Sequence, residues 1–518
     1  MGVEASAPLA LSAGLVVPPP TEKTLNLVDV QRAARNAGAL TLASIIGKGG
    51  VFLWQLVLIA QLGERLYGIY SVVASSMALA AAFSALGMGV ILTRDVARAP
   101  RRAGEYWSAA LLLQTALSAL AYPAILLAAS WGEGELAGQA RELQGYLALV
   151  GINLFLDCTG NIGNDLLVTQ ERLRQTALVS VLHIIALIGL GGIALWLGYG
   201  LWGVYVGSIV ASSLRALAMN ACVWRSGVRP RRFAPPLARG LFFNAAPIGL
   251  NALLALGITQ LDKQITARFL GVESAGHLFA AAMLVMGCIE LLGTPQLTAL
   301  LPLHAKLQGD PRAAQIPERM SYFMLLWTLP LALGICFFAP TLVEWLFQAE
   351  GFEQSGPILA ILIWTVPLII TSDMFAQAMM MQNRQRRLLW IRGMGLALNI
   401  GLNVAVLLQW GDVRGVALAS VGAECFVLLM LASQLRQYGI HWRQLGRRFA
   451  RLMLVLAGAA LLIGFMRGYE ANLSLALALV GYGLALWRGG LLSEWDRELL
   501  GILWRMLPFT ADQAPATR

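Results

Sequence analysis

The stretch that decides the fold is LGERLYGIYSVVASS at residues 62–76, because LGVESAGHLFAAAML at residues 270–284 repeats its small-residue pattern. The leading Leu-Gly pair, the glycine six residues after the leucine and the alanine six residues after that glycine all recur at a displacement of 208. Segments 170–174 and 382–386 share a Gln-x-Arg-x-Arg pattern at a displacement of 212. These matches predict two duplicated halves. The alternative is chance similarity between helices rich in Gly and Ala.

The composition around these stretches is that of a membrane protein. Of 518 residues, 58% are hydrophobic and only 13% are charged, and the mean hydropathy is +0.68. Soluble domains carry about 45–50% apolar and about 25% charged residues, so an ordinary soluble protein is excluded. The formal net charge is +10. Its Lys and Arg residues stand in short clusters between apolar runs, which is typical of a membrane topology signal and not of nucleic-acid binding.

The apolar runs predict the number and grouping of the spans. Windows of about 20 apolar residues, enough to cross a bilayer, are centred near residues 49, 79, 117, 155, 186, 212, 255, 287, 331, 368, 399, 425, 457 and 479. We therefore predict an all-α integral membrane protein with about fourteen transmembrane helices, in which two six-helix repeats form N and C lobes and two extra C-terminal helices follow. An even number of spans gives both lobes the same orientation, with a cavity between them.

The predicted segments follow from these spans. They are a cytoplasmic tail at 1–37, the N lobe at 38–224, a basic cytoplasmic linker at 225–240, the C lobe at 241–435, spans 13 and 14 at 449–486, and a second cytoplasmic tail at 487–518. The linker is expected to contact anionic lipid. Spans 13 and 14 are expected either to anchor the protein in lipid or to add a groove.

The distribution of positive charge predicts the orientation. Loops after even-numbered spans hold 23 Lys and Arg residues, with Arg392 counted in the loop after span 10, whereas loops after odd-numbered spans hold four. Because positively charged loops stay in the cytoplasm, we predict a multi-pass protein of the cell inner membrane with both termini cytoplasmic.

Signatures of an enzyme or a cofactor are missing from the sequence. There is no Walker A loop, no HExxH pair and no nucleophile elbow, so neither direct use of ATP nor zinc or serine chemistry is indicated. The five cysteines lie in apolar segments outside CxxC or His-rich settings. We expect a protein that is not an enzyme and that has no cofactor or metal.

Three segments carry a resemblance to a known family. They are the stretch from Leu62 to Ala97, the segment LDKQITARFLGVESAGHLFAAAML from Leu261, and LNIGLNVAVLLQWGDVRGVALA at residues 398–419. They resemble the polysaccharide flippases of the MOP superfamily, which includes Wzx-like O-antigen flippases, the lipid II flippase and MATE exporters. The likeness covers about residues 38 to 435. One departure is His277, where the family has an aromatic residue.

The resemblance implies a function and partners. It implies a flippase that moves undecaprenyl-diphosphate-linked oligosaccharide from the inner to the outer leaflet by alternating access, for lipopolysaccharide or other surface polysaccharide. The implied partners are this lipid-linked substrate, the bilayer and a polysaccharide polymerase, with no nucleic acid, and we expect a monomer. The alternatives are a MATE-like cation-coupled drug exporter, a lipid II flippase, and a membrane glycosyltransferase or ligase.

Cations within the predicted spans are the first candidates for substrate binding. They are Lys48, Arg215, Lys263 and Arg268. A charge at mid-membrane costs at least about 2.5–3.5 kcal/mol, so it is functional by default. We expect these cations to form a positive wall for the diphosphate, with Lys48 first because glycines flank it. The alternatives are pairing with acids such as Asp157 or Asp165 for bundle integrity, and extension of Arg268 to the membrane surface.

Acidic side chains within the spans are candidates for ion coupling, because burial favours proton binding by a carboxylate. The candidates are Glu290 and Glu424 first, then Asp262, Asp157 and Asp373. Asp262 need not pair with Lys263, since adjacent helical residues point about 100° apart. His183 is predicted to be a structural, hydrogen-bonded histidine, and proton transfer is its alternative role.

Asparagines cluster in spans 4 and 11. Asn153, Asn161, Asn399 and Asn403 are candidates for contacts with sugar hydroxyls. The alternative role, hydrogen bonding between helices, is equally consistent with the sequence.

Overall fold

The described part of the structure, a computed structural model, is helical throughout. It comprises residues 27–130, 136–232, 234–293, 316–348, 351–382, 384–435, 442–466, 477 and 480–486. Helices are the expected solution, because a helix satisfies its backbone hydrogen bonds internally where lipid offers none. The predicted span centres from 49 to 457 all lie in these helices, whereas the centre at 479 and most of both predicted tails lie outside the described residues.

Residues 27–225 form what we call the first half. Its helices are α1 (Leu27–Ala85), α2 (Met88–Arg98), α3 (Ala103–Ala129), α4 (Leu136–Val150), α5 (Ile152–Thr169), α6 (Leu173–Trp196) and α7 (Gly200–Arg225). A short 3-10 turn at Pro100–Arg102 precedes α3.

Residues 235–435 form the second half, and a further helix follows it. The helices are α8 (Pro235–Leu270), α9 (Val272–Leu292), α10 (Ile316–Phe347), α11 (Ser355–Leu362), α12 (Thr365–Met381), α13 (Gln385–Trp410), α14 (Val413–Leu435) and α15 (Trp442–Met466).

Eleven stretches among the described residues are long and apolar enough to cross a membrane. The first of them, Ile46–Arg98, has 53 residues, which is enough for two crossings of about 20 residues each. It is broken at Gly63, whose φ of 69° and ψ of 174° are not helical. Gly271 adopts nearly the same conformation between α8 and α9, with φ 91° and ψ 170°. Positive φ favours glycine at both positions, and they are 208 residues apart.

Two of the contact lines between the halves involve α1, and α8 also contacts α2 and α3. Along the line that we call the α1–α9 seam, Phe52 packs near Gly287, and a Cβ added at Gly276 would lie 2.9 Å from the Cα of Gly68. Gly68 and Gly276 are the glycines that the repeat predicts to be equivalent. Along the other line, the α1–α8 seam, Gln264 donates to the carbonyl oxygen of Val72 over 2.8 Å.

The α1–α8 seam is packed closely at its other end as well. A Cβ at Gly249 would collide with the backbone of Leu86. Glycine permits such close approach of helices in lipid, where small residues line helix interfaces. The halves are therefore in contact along both seams in this structure.

The linker between the halves lies against the first half. The backbone N–H of Arg231 donates to the carbonyl oxygen of Gly104 over 3.2 Å, and the Ser108 hydroxyl donates to the carbonyl oxygen of Arg231 over 2.7 Å. A Cβ at Gly104 would collide with the carbonyl oxygen of Arg229. The segment from 226 to 232 is thus docked on the start of α3, and α8 begins directly after the extended residue Ala234.

The residues that follow the second half pack on α10. Leu452 of α15 and Tyr482 are buried in a cluster with Leu326 and Leu329, and the Tyr482 hydroxyl donates to the carbonyl oxygen of Leu326 over 2.5 Å. Helix α15, at the predicted span 13, is not among the eleven candidate spans. The count of fourteen spans therefore stays a prediction.

Candidate functional site

Lys48 and Glu290 form an ion pair across the α1–α9 seam. The Lys48 ammonium donates to the Glu290 carboxylate. The two side chains are 44% and 41% exposed, so the pair is accessible. A Cβ added at the neighbouring Gly49 would meet nothing within 4 Å. The first-choice cation and a first-choice coupling acid of the sequence are thus partners that join the halves.

Arg215 holds a second charge cluster, inside the first half. Its Nη2 donates to Oδ1 of Asn161 over 2.6 Å, and its Nη1 donates to Oδ1 of Asp157 over 3.4 Å. The Arg215 side chain is 17% exposed. Asp165 is bonded instead by Asn164, over 3.4 Å. Because a guanidinium has five N–H donors, Arg215 keeps donors that a phosphate could use.

His183 lies near this cluster. Its Nδ1 is 3.2 Å from the carbonyl oxygen of Ala211 on α7, which is a hydrogen bond of the kind expected for a structural histidine.

Arg392 is a buried charge that the sequence analysis misplaced. It was counted in a cytoplasmic loop, but α13 begins at Gln385, so Arg392 lies two turns inside the helix. Its side chain is 7% exposed and its Nη2 donates to Oδ1 of Asp373 over 2.8 Å. The loop count failed because an Arg-rich helix start looks the same as a loop. The displacement of 212 aligns Asp373 with Asn161, the partner of Arg215, but it aligns Arg392 with Ser180 and so gives no signal for the buried arginine.

Glu424 on α14 lies in the electrostatic neighbourhood of Arg392 and Asp373. It is buried, and its Oε2 has no hydrogen-bond partner in the part of the chain that the structure describes. Among the predicted coupling acids, Glu424 is the one for which no ion pair is found within the described residues.

Lys263 and Asp262 are buried together inside the second half. The Lys263 Nζ lies 3.1 Å from Oδ1 of Asp262 and also donates to the carbonyl oxygen of Thr259. Adjacent helical residues diverge, but the long lysine stem folds back along the helix and closes the pair. Arg268, by contrast, is exposed in the last turn of α8, where extension to the membrane surface was the alternative.

Two adjoining cavities in the second half are lined by these acids. The larger has a volume of about 220 Å³, and its charged lining residues are Glu290 and Asp373. The smaller, of about 40 Å³, reaches Asp262, Lys263 and Glu424. Thr259 and Ile289 are among the residues that line both.

A positive wall was expected, but three of its four cations have a carboxylate within 4 Å: Lys48, Arg215 and Lys263. The physical reason is that an uncompensated charge is costly inside an apolar bundle.

Three of the four candidate sugar-contact asparagines are buried and form hydrogen bonds with other side chains of the bundle. Asn153 donates to the Ser208 hydroxyl over 3.0 Å. Asn403 donates to Oδ1 of Asn399 over 3.1 Å, and both are fully buried. Asn161 alone among the four candidates is exposed, beside Arg215.

Comparison with known proteins identifies a family and a fold. The family described as "Polysaccharide biosynthesis protein" matches residues 33–308. No curated protein sequence matches the chain. The lipid II flippase MurJ in an inward closed conformation is similar with a TM-score of 0.67 at 15% identity, over 90% of this chain and 100% of its own.

Two further solved structures share the fold. An outward-facing MATE family multidrug resistance transporter of the MOP superfamily has a TM-score of 0.55 at 18% identity, over 78% of this chain and 96% of its own. A MOP superfamily transporter from Pyrococcus furiosus, described as having a binding pocket of reverse polarity, has a TM-score of 0.56 at 17% identity, over 78% and 96%.

The family match spans more than half of the chain, and the expected resemblance is confirmed. The solved structures that share this fold are described as a lipid II flippase and as transporters. The chain belongs to the polysaccharide biosynthesis protein family and is a multi-pass membrane protein with the fold of the MOP-superfamily transporters.

Proposed function

We propose that the chain is a flippase that moves an oligosaccharide linked to undecaprenyl diphosphate from the inner to the outer leaflet by alternating access. The observation that carries this proposal is the half-exposed ammonium of Lys48 at the line where the halves meet. In a family of polysaccharide biosynthesis, a cation at that place suits a lipid diphosphate. The glycan belongs to a cell-surface polysaccharide such as O-antigen.

The physical task is to move a charged group through an apolar region. A lipid diphosphate carries about two negative charges, and fixed cations offset the loss of its hydration. Lys48 on α1 and Arg215 on α7 supply cations from the same half. The guanidinium of Arg215 can form two parallel bonds to phosphate oxygens, and Asn161 beside it can bind a sugar hydroxyl. Arg268 and Lys263 are weaker candidates, since the first is exposed at a helix end and the second is bonded to Asp262.

The proposed architecture has fourteen spans, with two six-helix lobes at 38–224 and 241–435 and both termini in the cytoplasm. The glycine contact between Gly68 and Gly276 supports a rotation axis between the lobes, because backbone contact without side chains permits rocking. Spans 13 and 14 would anchor the second lobe in lipid through α10.

Coupling to an ion gradient is proposed to use Glu424. Glu424 is a buried carboxylate for which no ion pair is found within the described residues, and a charge in such a position is costly. Binding and release of a proton by Glu424 would therefore shift the equilibrium between the inward-open and outward-open states. Asp157, Asp262, Asp373 and Glu290 already have cationic partners. If flipping continued unchanged after collapse of both proton and sodium gradients, coupling would be absent while the flippase itself could stand.

The test of the function is flipping of the substrate by purified protein in vesicles. The vesicles carry a fluorescent undecaprenyl-diphosphate oligosaccharide, and its appearance in the outer leaflet is followed by quenching. We expect wild type to flip it and Lys48→Ala with Arg215→Ala to lose flipping. The matched control is Arg102→Ala, which removes a cation from an exposed ion pair outside the site. Unchanged flipping by the double variant would refute the binding role of these cations.

One observation favours a second candidate, a MATE-like exporter of organic cations. The charged residues that line the larger cavity are both acids, Glu290 and Asp373. The same vesicles discriminate between the two functions, because an exporter would accumulate ethidium and leave the lipid-linked glycan in place.

A further inference from the structure

The two seams differ in charge at the positions that the repeat makes equivalent. At a displacement of 208, Lys48 corresponds to Leu256 and Glu290 corresponds to Ala82. The α1–α9 seam therefore carries an ion pair where the α1–α8 seam has two apolar side chains. The α1–α8 seam is instead joined by the backbone contact at Gly249 and by the neutral hydrogen bonds of Gln264. A charged ligand can compete with an ion pair but has no group to displace at the other seam.

The ion pair is placed where a ligand can reach both of its members. Both side chains are about two-fifths exposed, and Glu290 lines the cavity of about 220 Å³. Because both members are exposed and Glu290 borders the cavity, a phosphate can approach the ammonium of Lys48 while its carboxylate partner withdraws toward the cavity.

We propose that the Glu290 carboxylate occupies the place of a substrate phosphate on Lys48, and that a lipid diphosphate opens the α1–α9 seam by taking Lys48 from Glu290. This inference rests on the proposed function and assigns Glu290 a role in substrate specificity. A lysine ammonium has three N–H donors and no acceptor, so it binds either anion through the same hydrogens. The diphosphate has the greater charge and more oxygens, so it displaces the Glu290 carboxylate from Lys48.

The exchange couples recognition to motion. A ligand shifts a conformational equilibrium only by its difference in affinity for the two states. The diphosphate binds Lys48 only when Glu290 has left, which is the state in which this end of the seam is parted. The released carboxylate and the bound diphosphate then repel each other, because both are negative. An uncharged lipid with the same undecaprenyl tail cannot release Lys48 from Glu290, so it leaves the seam closed.

The α1–α9 seam stays closed at its other end. Beyond the break at Gly63, Glu64 lies 3.5 Å from His277 and Arg65 lies 3.9 Å from Glu273. These contacts also join the halves, and Tyr67 packs its ring against Phe279 there with centroids 5.9 Å apart. Substrate exchange at Lys48 therefore parts the seam at one end only, as alternating access requires.

Equilibrium binding gives the first test. Radiolabelled undecaprenyl diphosphate is titrated against full-length protein in nanodiscs, with undecaprenol as the uncharged probe. We expect Glu290→Gln to tighten binding of the diphosphate lipid about tenfold, because its competitor is gone, and Lys48→Ala to weaken it by about tenfold or more. The matched controls, Glu105→Gln and Arg102→Ala, remove the members of an exposed ion pair elsewhere and are expected to leave the Kd unchanged.

Crosslinking across the seam gives the second test. Phe52→Cys and Gly287→Cys, in a chain whose five native cysteines are replaced by serine, place two thiols across the seam, since a Cβ at Gly287 lies 3.4 Å from the Phe52 ring. A short bifunctional thiol reagent should link them in the absence of lipid. Undecaprenyl diphosphate should lower the yield severalfold and undecaprenol should not. Glu290→Gln should give the low yield without any lipid.

The outcomes separate this inference from the proposed function. Tighter binding by Glu290→Gln together with weaker binding by Lys48→Ala supports the exchange. If Glu290→Gln binds the diphosphate lipid no more tightly than wild type, or if the lipid leaves the crosslink yield unchanged, the exchange is refuted even where flipping is intact. If wild type binds neither probe, the proposed function fails as well.

Discussion

The charge clusters of the two halves are built around one arginine each, but they differ in exposure and in the repeat positions that carry their acids. In the first half, Arg215 is bonded to one carboxylate and one amide and keeps part of its surface open. In the second half, Arg392 is more deeply buried and has Asp373 as its partner and the acid Glu424 in its neighbourhood. Each arginine has two acids around it, Asp157 and Asp165 for Arg215 and Asp373 and Glu424 for Arg392. The first cluster is the more exposed and keeps spare donors, whereas the second contains a deeply buried carboxylate.

The difference follows from single positions in the repeat. At a displacement of 212, Asn161 corresponds to Asp373 and Ser212 corresponds to Glu424. Two neutral residues of the first half are therefore acids in the second, whereas Asp157 and Asp165 of the first half correspond to Ile369 and Gln377. We infer a division of labour, in which the first half offers a cation to an anionic substrate and the second half stores an exchangeable proton.

The largest expected effect is on folding, from Arg392→Ala. Removing the cation leaves the Asp373 and Glu424 carboxylates without compensation, and breaking a buried ion pair costs about 3–5 kcal/mol. We expect a marked loss of folded protein in detergent, followed by fluorescence-detected size exclusion and thermal unfolding. Arg392→Ala combined with Asp373→Asn should recover part of the loss. If Arg392→Ala were as stable as wild type, the deeper burial of Arg392 would have no consequence for folding.

Arg215→Ala is expected to act mainly on transport. A hydrogen bond to a charged group is worth about 1.5–3 kcal/mol, which corresponds to roughly a tenfold to hundredfold loss of affinity for the diphosphate lipid. Unfolding should shift less than for Arg392→Ala, because Arg215 is more exposed. Titration of undecaprenyl diphosphate in nanodiscs measures the affinity. Arg215→Lys keeps the charge but loses the planar fork, so it should fall between wild type and Arg215→Ala.

Glu424→Gln tests the buried carboxylate of the second half. The amide cannot exchange a proton, so flipping in the presence of a proton gradient should drop to the rate measured without one. Flipping down the substrate gradient should continue. The vesicle assay with and without an imposed pH difference measures both rates. A variant that still responds to the gradient would show that coupling lies elsewhere or is absent.

The smallest expected effect is that of Asn403→Ala. The hydrogen bond of Asn403 to Asn399 lies within α13, and such a side-chain pair four residues apart stabilises a helix by about 0.2–0.5 kcal/mol. A slight loss of thermal stability and no change in flipping are therefore expected for this fully buried residue. Asn161→Ala is the comparison, because its exposed amide stands beside Arg215 and its loss should slow flipping. Loss of flipping in Asn403→Ala at unchanged stability would restore the sugar-contact hypothesis for that residue.

The spans were predictable because the requirement for apolar residues is local to each helix. The glycines of the repeat were predictable for a similar reason, since backbone contact and positive φ leave few alternatives at Gly63 and Gly271. The partners of the charges were not. Lys48 and Glu290 are 242 residues apart, and their meeting depends on how α1 and α9 are rotated and packed.

The endpoints of two long side chains could not be predicted from the sequence. The sequence leaves open whether Asp262 and Lys263 pair, and the flexible lysine stem closes the pair. Arg392 was assigned to a loop from the count of positive charge, which does not register where a helix begins. Backbone positions follow from sequence periodicity, whereas the endpoints of long flexible side chains depend on the neighbours that the fold supplies.

The docked linker limits where the molecule can bend. Residues 226–232 are fixed to the start of α3 through Gly104 and Ser108. The part of the linker that can move independently of the first half is therefore shorter than the linker itself. The start of α8 lies on the same surface, because Ala238, Leu241 and Ala245 are buried in one cluster with residues of α2 and α3. We therefore expect a relative movement of the halves to carry the start of α8 along with α3 and not to bend the chain at Ala234.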